Sequence, residues 1–444
     1  MSVLTSAATD AITTNLNSLW LLVAAALVLL MTPGVAFFYG GMVRAKSVIN
    51  MMMMSFGAIA LVTVLWVIYG YSMSFSSGDG WVIPHVLANP FHDFLLHNEI
   101  HFKGGTELGL QSLDVHGLAF AGFQATFAII TVALISGAIA DRAKFGAWMI
   151  FAGVWVTVVY FPVASWVFNF TAGGSSAGGW GQHGYSDGGW SVFGLGVNDF
   201  AGGTAVHINA GAAGLALALV LGKRVGFAKG MAKPHNVPLT LLGAALLWFG
   251  WFGFNAGSEG AVDGIAALAW VNTLAAPAAA TIGWLITEKI KDGKPTSIGA
   301  ASGAVAGLVA ITPACNILAP GWGIVLGLIT GAICCLAIEL KWRLGFDDSL
   351  DVVGVHLVGG MVGTLYIGIF GNGIGLIDTG SFYQLGAQAV GAFAVAIYSF
   401  VLAYVIGWII QKTMGFRITS EDESAGVDQV VHGEESYALD TALV

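Results

Sequence analysis

DFAGGTAVHINAGAAG (199–214) and DDSLDVVGVHLVGGMVG (347–363) each place a histidine, His207 and His356, inside a long apolar run. Aligned on the histidine, both read V-H-x-x-x-G-x-x-G, and both are preceded by aspartate. An ionisable ring in an apolar, membrane-length segment is costly, so it faces the bundle interior and marks a polar site. Two such rings at matching places in one chain point to a single site at the interface of two structural repeats.

The surrounding composition sets the solvent. Of 444 residues, 57% are apolar and only 9% charged. A soluble chain of this length needs more charged surface. The apolar residues gather into eleven runs long enough to cross a bilayer: 17–40, 52–75, 117–140, 147–169, 200–222, 237–257, 262–287, 297–314, 322–340, 352–371 and 385–411. No Lys or Arg precedes the first run, so it reads as a transmembrane helix rather than a cleaved signal.

Charge distribution sets the orientation. Fifteen of the sixteen basic residues follow odd-numbered helices, and only Lys103 falls on the other side. Positive loops stay in the cytoplasm. The expected fold is therefore an all-α polytopic membrane protein of eleven transmembrane helices, with the N-terminus outside and the C-terminus inside. Helices 1–5 and 6–10 form two halves of five. An odd number per half reverses their orientation, which makes a 5+5 inverted repeat followed by a final helix. His207 falls on helix 5 and His356 on helix 10. Many of the 63 glycines fit close helix packing. Residues 1–412 are expected as the membrane domain and 413–444 as a polar, acidic cytoplasmic tail, either disordered or docked on the inner loops. The outer loops 76–116 and 170–199 are the longest, the second being Gly-rich turns.

Cys315, Cys334 and Cys335 form no CxxC motif and read as small packing residues. Further histidines lie in loops, at a helix edge or in the tail, so a metal centre lacks ligands, and no metal or cofactor is expected. What remains is a pair of imidazoles lining a narrow path, each ring able to donate or accept one proton. Asp199 reads as the N-cap of helix 5, with a carboxylate that also favours a cation at the outer mouth. Asp351 reads as its partner ahead of helix 10, and Asp347 and Asp348 as loop residues. Of Phe123, Phe127, Trp166, Phe168, Trp251, Phe252 and Phe254, several cluster near the expected outer helix ends, where rings around an entry could hold a small cation by cation–π attraction of roughly 0.5 to 2 kcal/mol each. Ser258, in GFNAGSEG, adds a hydroxyl acceptor.

Together these residues resemble the ammonium transporter family of the Amt/Rh superfamily. The resemblance runs from TPGVAFFYGGMVRAKS to the tail and is carried by DFAGGTAVHINAG, the GKRVGF and KPHN loop, GWFGFNAGS, TPAC and DVVGVH. Phe127, Ser258 and the GKR…KPHN loop follow the Amt branch. The resemblance implies that Phe127 and Ser258 help form an outer ammonium-recruitment site and that Phe127 and Phe254 stack as a gate below it. It makes His207 and His356 the pore histidines, Asp199 the outer aspartate needed for conduction, Trp251 a pore-flanking residue, and Phe38 a lining residue of the inner vestibule. It also implies a multi-pass cell-membrane protein and a homotrimer with one pore per subunit. Ammonium or its analogue methylammonium is the cargo, a cytoplasmic PII signalling protein is a partner, and there is no nucleic-acid partner and no enzymatic activity. The chain departs from the family at one place. Many Amt members carry a tryptophan at the end of helix 4, where PVASWVFNF puts Phe168, with Trp166 two residues earlier. Phenylalanine is the weaker cation–π partner, unless a tryptophan from the following Gly-rich loop substitutes. The alternatives are an ammonium sensor, an Rh-like channel for neutral gas, and an intramembrane enzyme or metal transporter built on His207, His356, Asp199 and Asp351.

Overall fold

The computed structural model describes residues 2–75, 81–83, 86–99, 115–168, 196–229 and 233–437. Among them, ten helices are long and apolar enough to cross a membrane. These are α1 (Ala8–Met42), α2 (Ala45–Phe75), α3 (Gly117–Ile139), α4 (Phe145–Val167), α5 (Gly203–Leu221), α6 (Val237–Gly257), α7 (Gly264–Asp292), α9 (Pro320–Leu344), α10 (Val353–Phe370) and α11 (Tyr383–Thr413). The run expected at 297–314 is α8 (Ser297–Ile311), an apolar helix of 15 residues, shorter than the others. Each expected run therefore coincides with a helix. The largest difference is at α1, which continues back through a polar stretch that hydropathy leaves out.

Local chemistry fixes several boundaries. Asn236, Asp263 and Thr296 cap α6, α7 and α8 by accepting N–H bonds from Leu239, Ile265 and Ala266, and Gly299 respectively. Pro33 and Pro277 sit inside α1 and α7, as membrane helices tolerate.

Packing sorts the helices into an interior and a periphery. In α3 and α5, 83% of the most apolar window is buried, against 28% in α11. α1 packs on α6 and α3, α7 on α8 and α9, and α11 on α5 and α10. At the centre α5 crosses α10, and the glycine four residues after each histidine lies at the crossing. A Cβ on Gly211 would meet the backbone nitrogen of Leu357 at 2.4 Å. A Cβ on Gly360 would meet the Gly203 carbonyl oxygen and Ile208 Cγ1 at 2.9 Å. Leu357 and Ile208 are the residues that follow His356 and His207, so the contact is reciprocal. The repeated V-H-x-x-x-G pattern is thus a packing rule: each glycine admits the backbone beside the opposite histidine.

At one end of the bundle the loop charges pair. Arg224 binds Asp347 through Nε and Nη2, at 2.9 and 2.8 Å, and Asp141 through Nη1 at 3.1 Å. Arg142, fully buried, donates to the Asp347 and Ala138 carbonyls and to Ser349. Burial raises the Asp347 carboxyl, but Arg224 and Arg142 more than offset this and hold it below its ordinary value. Of the two alternatives for the tail, docking is what its described residues, 413–437, adopt. After α11 comes α12 (Ser420–Ala425), capped by Thr419. Glu423 accepts from Val225 N at 2.7 Å and from Arg417 at 2.9 Å. Asp428 accepts from Ile49 N and Asn50 N, at 3.0 and 2.8 Å, in the first turns of α2.

Candidate functional site

Both histidines lie on π-helical turns, Gly203–Ile208 at the start of α5 and Val353–Leu357 at the start of α10. Wide turns of this kind re-aim a side chain and recur at functional sites. Each turn is anchored by a buried carboxylate eight residues before its histidine. Asp199 accepts from the backbone N–H groups of Gly202, Thr204 and Ala205, at 3.2, 2.9 and 2.9 Å. Burial pushes the Asp199 carboxyl up to about 6, even though these N–H bonds act to lower it.

The expected partner of Asp199 is corrected by the structure. Asp348, not Asp351, caps α10, accepting from Val352 N and Val353 N at 3.1 and 2.7 Å. Burial, with Asp351 adding to it, pushes its carboxyl above the ordinary range. Asp351 instead adopts a left-handed backbone, φ 64°, and pairs with Lys341. The Asp351 carboxylate is taken up by Lys341, and the N–H groups at the start of α10 are left to Asp348.

The two rings meet. Nδ1 of His207 and Nδ1 of His356 are 3.2 Å apart, with the ring planes 19° from parallel and both side chains buried. One Nδ1 must donate and the other accept, so the neutral pair shares one proton along this contact. The donor ring then keeps Nε2 as an acceptor, and the other ring offers Nε2–H as a donor. His207 Nε2 is buried with no hydrogen-bond partner among the described residues.

Aromatic rings stack on one side of this pair. Phe127 on α3 and Phe254 on α6 lie face to face, 4.2 Å between centroids and 20° between planes. Phe254 is 5.9 Å from the His207 ring, and Trp251 stacks on His207 at 5.3 Å. The Trp251 indole donates to Thr312 Oγ1 at 2.8 Å, and Thr312 donates to Asn255, which is bonded to Thr273. Phe168 presents edge-on to Phe127 at 6.1 Å, and Phe123 does so at 4.9 Å. Ser258, half-buried one turn beyond Phe254, donates to the Phe254 carbonyl at 2.8 Å and keeps its acceptor lone pairs.

Two aromatics of the expected cluster lie elsewhere. Trp166 donates to the Val86 carbonyl and packs on Tyr398, 4.8 Å away. Phe252 stacks on Trp270. Tryptophans of the Gly-rich loop that could replace Phe168, Trp180 and Trp190, lie outside the described residues.

On the other side of the histidines is a cavity of about 10 Å³, the size of one water-like molecule. His207, His356, Trp251, Phe38 and Tyr39 line it, with apolar side chains completing the wall. Tyr39, Thr312, Asn255 and Asp348 are site residues that sequence reasoning missed. Only Asp348 had a readable signal, its position eight residues before His356, the spacing of Asp199 before His207.

The chain that carries this arrangement has known relatives. A family model described as Ammonium Transporter Family matches residues 19–437. The chain belongs to the ammonium transporter family. It is 50% identical to an ammonium transporter of Mycobacterium tuberculosis over 442 residues, covering 95% of this chain and 90% of the relative. It is 42% identical to an ammonium transporter of Bacillus subtilis over 431 residues, 95% and 98% of the two chains. Among solved structures it is similar to a sensor Amt protein, with a TM-score of 0.82, 29% identity, and coverage of 95% and 99%. It is also similar to Mep2 of Saccharomyces cerevisiae, with a TM-score of 0.77, 32% identity, and coverage of 91% and 90%. This ammonium transporter family member is a multi-pass membrane protein. The relatives from Mycobacterium tuberculosis and Bacillus subtilis are both ammonium transporters.

Proposed function

We propose that ammonium is taken at an outer site formed by Phe127, Phe168 and Ser258, with Asp199 favouring the cation. It loses its proton outside the Phe127–Phe254 stack and crosses as ammonia past His207 and His356. The observation that carries this reading is the buried imidazole pair, 3.2 Å apart, lying under a stacked phenylalanine pair and opening on a cavity of about 10 Å³. An apolar cavity of that size takes a neutral molecule far more cheaply than a bare cation. Ammonium and potassium are close in size, but only ammonium can give up a proton. The neutral histidine pair then supplies one donor and one acceptor to the passing ammonia.

The topology follows the same reading. Helices α1–α5 and α6–α10 are inverted repeats, α11 closes the bundle, the N-terminus is outside, and the charged loops and the tail face the cytoplasm. Residues 1–412 form the membrane domain and 413–444 the cytoplasmic tail. The assembly is a homotrimer, with Trp251 and Phe38 lining each pore and a PII protein as the cytoplasmic partner. Likeness to a sensor Amt protein favours a second reading, in which the docked tail reports occupancy.

The test is uptake of methylammonium into proteoliposomes with current recorded on an ammonium step. Uptake with current assigns the proton a path through the protein, and uptake without current assigns neutral conduction. Replacing His207 and His356 with leucine should lower uptake and its selectivity over potassium. Selectivity unchanged in both variants would sink the role given to the pair.

A further inference from the structure

We propose that Gln388, on α11, is a positioning residue for the outer carboxylate Asp199. The proposal rests on the reading that Asp199 serves the outer mouth. Residues 196–202 have no regular secondary structure, yet Val197, Asn198, Asp199 and Ala201 are buried. Buried irregular backbone must find partners for its N–H and C=O groups. A primary amide suits this task, since it offers an acceptor oxygen and two N–H donors on one rigid plane.

Gln388 uses all three. Its Oε1 accepts from Asn198 N at 2.7 Å, and its Nε2 donates to the Asn198 carbonyl at 2.8 Å and the Thr364 carbonyl at 3.1 Å. Asn198 is thereby held by both backbone groups, as a strand neighbour would hold it, and the next residue is Asp199. One turn earlier Gln384 donates to the Gly196 carbonyl at 2.8 Å and to Gln388 Oε1 at 3.2 Å. Gln388 is fully buried and Gln384 is 5% exposed.

The bonds close into a ring. Asp199 accepts from Thr204 N, the Thr204 and Thr364 hydroxyls are bonded at 3.3 Å, and the Thr364 carbonyl returns to Gln388. Two helices, α10 and α11, and the segment leading into α5 thus meet on one side chain. Thr204 lies three residues before His207, so the ring also sets the start of the turn that carries the first histidine. Removing the Gln388 amide leaves the Asn198 N–H and C=O groups buried and unpaired, and the segment bearing Asp199 must shift to find new partners.

The experiment pairs uptake with hydrogen exchange on the full-length protein. Q388L is compared with the parent for methylammonium uptake per folded protein, and for exchange in peptides covering 199–206 and 353–358. The expected result is a loss of uptake of about tenfold, with faster exchange in 199–206 and unchanged protection in 353–358. A merely structural role would loosen both segments or neither. Uptake within about twofold of the parent, or unchanged protection of 199–206, would overturn the proposal. Should Q388L fail to fold, Q384L decides by the same pattern at a smaller amplitude, since it removes only the bonds to Gly196 and Gln388. D199A is measured in parallel. Parental uptake in D199A would refute the part given to Asp199 at the outer mouth, while the exchange response to Q388L still judges the positioning role.

Discussion

Gly211→Ala is the smallest change that should separate the paired histidines without touching them. The added Cβ would lie 2.4 Å from Leu357 N, 2.7 Å from its Cβ and 2.8 Å from its Cα. Ordinary contact begins at 3.4 Å, so α5 and α10 must part by about 1 Å. Two of the three clashing atoms are backbone, and no rotamer change relieves them. Leu357 adjoins His356, so the separation moves the imidazole directly. The Nδ1–Nδ1 distance of 3.2 Å would open toward ~4 Å, beyond hydrogen-bond reach. Alanine gains roughly 0.5–1 kcal/mol of helix propensity over glycine. Overpacking costs roughly 1–3 kcal/mol and the lost buried bond roughly 1–3 kcal/mol, so the clash wins. Methylammonium uptake should fall about 10- to 100-fold at equal protein. G360A, with contacts at 2.9 Å, should show a smaller loss, and G214A the smallest, because its nearest atom is the Val352 Cγ1 methyl at 3.1 Å. The assay is initial uptake in proteoliposomes with thermal unfolding followed in parallel. Parental uptake and stability in G211A would refute the claim that the motif glycines set the histidine spacing.

Phe254→Ala removes the ring stacked on Phe127 and the contact with His207. It should lower stability by about 3–5 kcal/mol and admit potassium, read as a potassium current absent from the parent. Asp348→Ala strips the acceptor from Val352 N and Val353 N, which should cost about 1–2 kcal/mol, measured as a lower unfolding midpoint. Asp428→Ala frees Ile49 N and Asn50 N and should expose the tail to limited proteolysis. Truncation at Gly415 should impair uptake further, and full activity of the truncated form would make the tail a passive extension.

The membrane character, the helix positions and the histidine pair were legible because they rest on composition and on polar residues out of place. An apolar run declares a span by length alone, and a histidine inside one stands out against it. Pairing geometry was not legible. Gln388 and Asn198 are 190 residues apart, and nothing in AQAVGAF distinguishes a clamp from a surface amide. Trp166 and Phe168 differ by two residues on a helix, which turns one toward Tyr398 and the other toward Phe127. Hydropathy does not see that rotation. Among the three aspartates in DDSLD, proximity to α10 points to Asp351, while the spacing from the histidine points to Asp348, the residue that caps the helix.

That spacing is itself a mechanism. A carboxylate eight residues before each histidine captures the first N–H groups of a π-helical turn, the turn aims the ring inward, and a glycine four residues later lets the opposite backbone approach. Each element is ineffective without the next. A cap with no wide turn would leave the ring on another face, and a wide turn with no glycine would hold the helices about 1 Å too far apart for the rings to share a proton. Two copies of the same construction, crossing at the centre of the bundle, produce a neutral donor–acceptor pair where a membrane interior would otherwise exclude both rings. The selectivity proposed for this pore follows from that neutrality: ammonia finds its hydrogen bonds along the path, and a cation that cannot shed a proton finds no compensating charge.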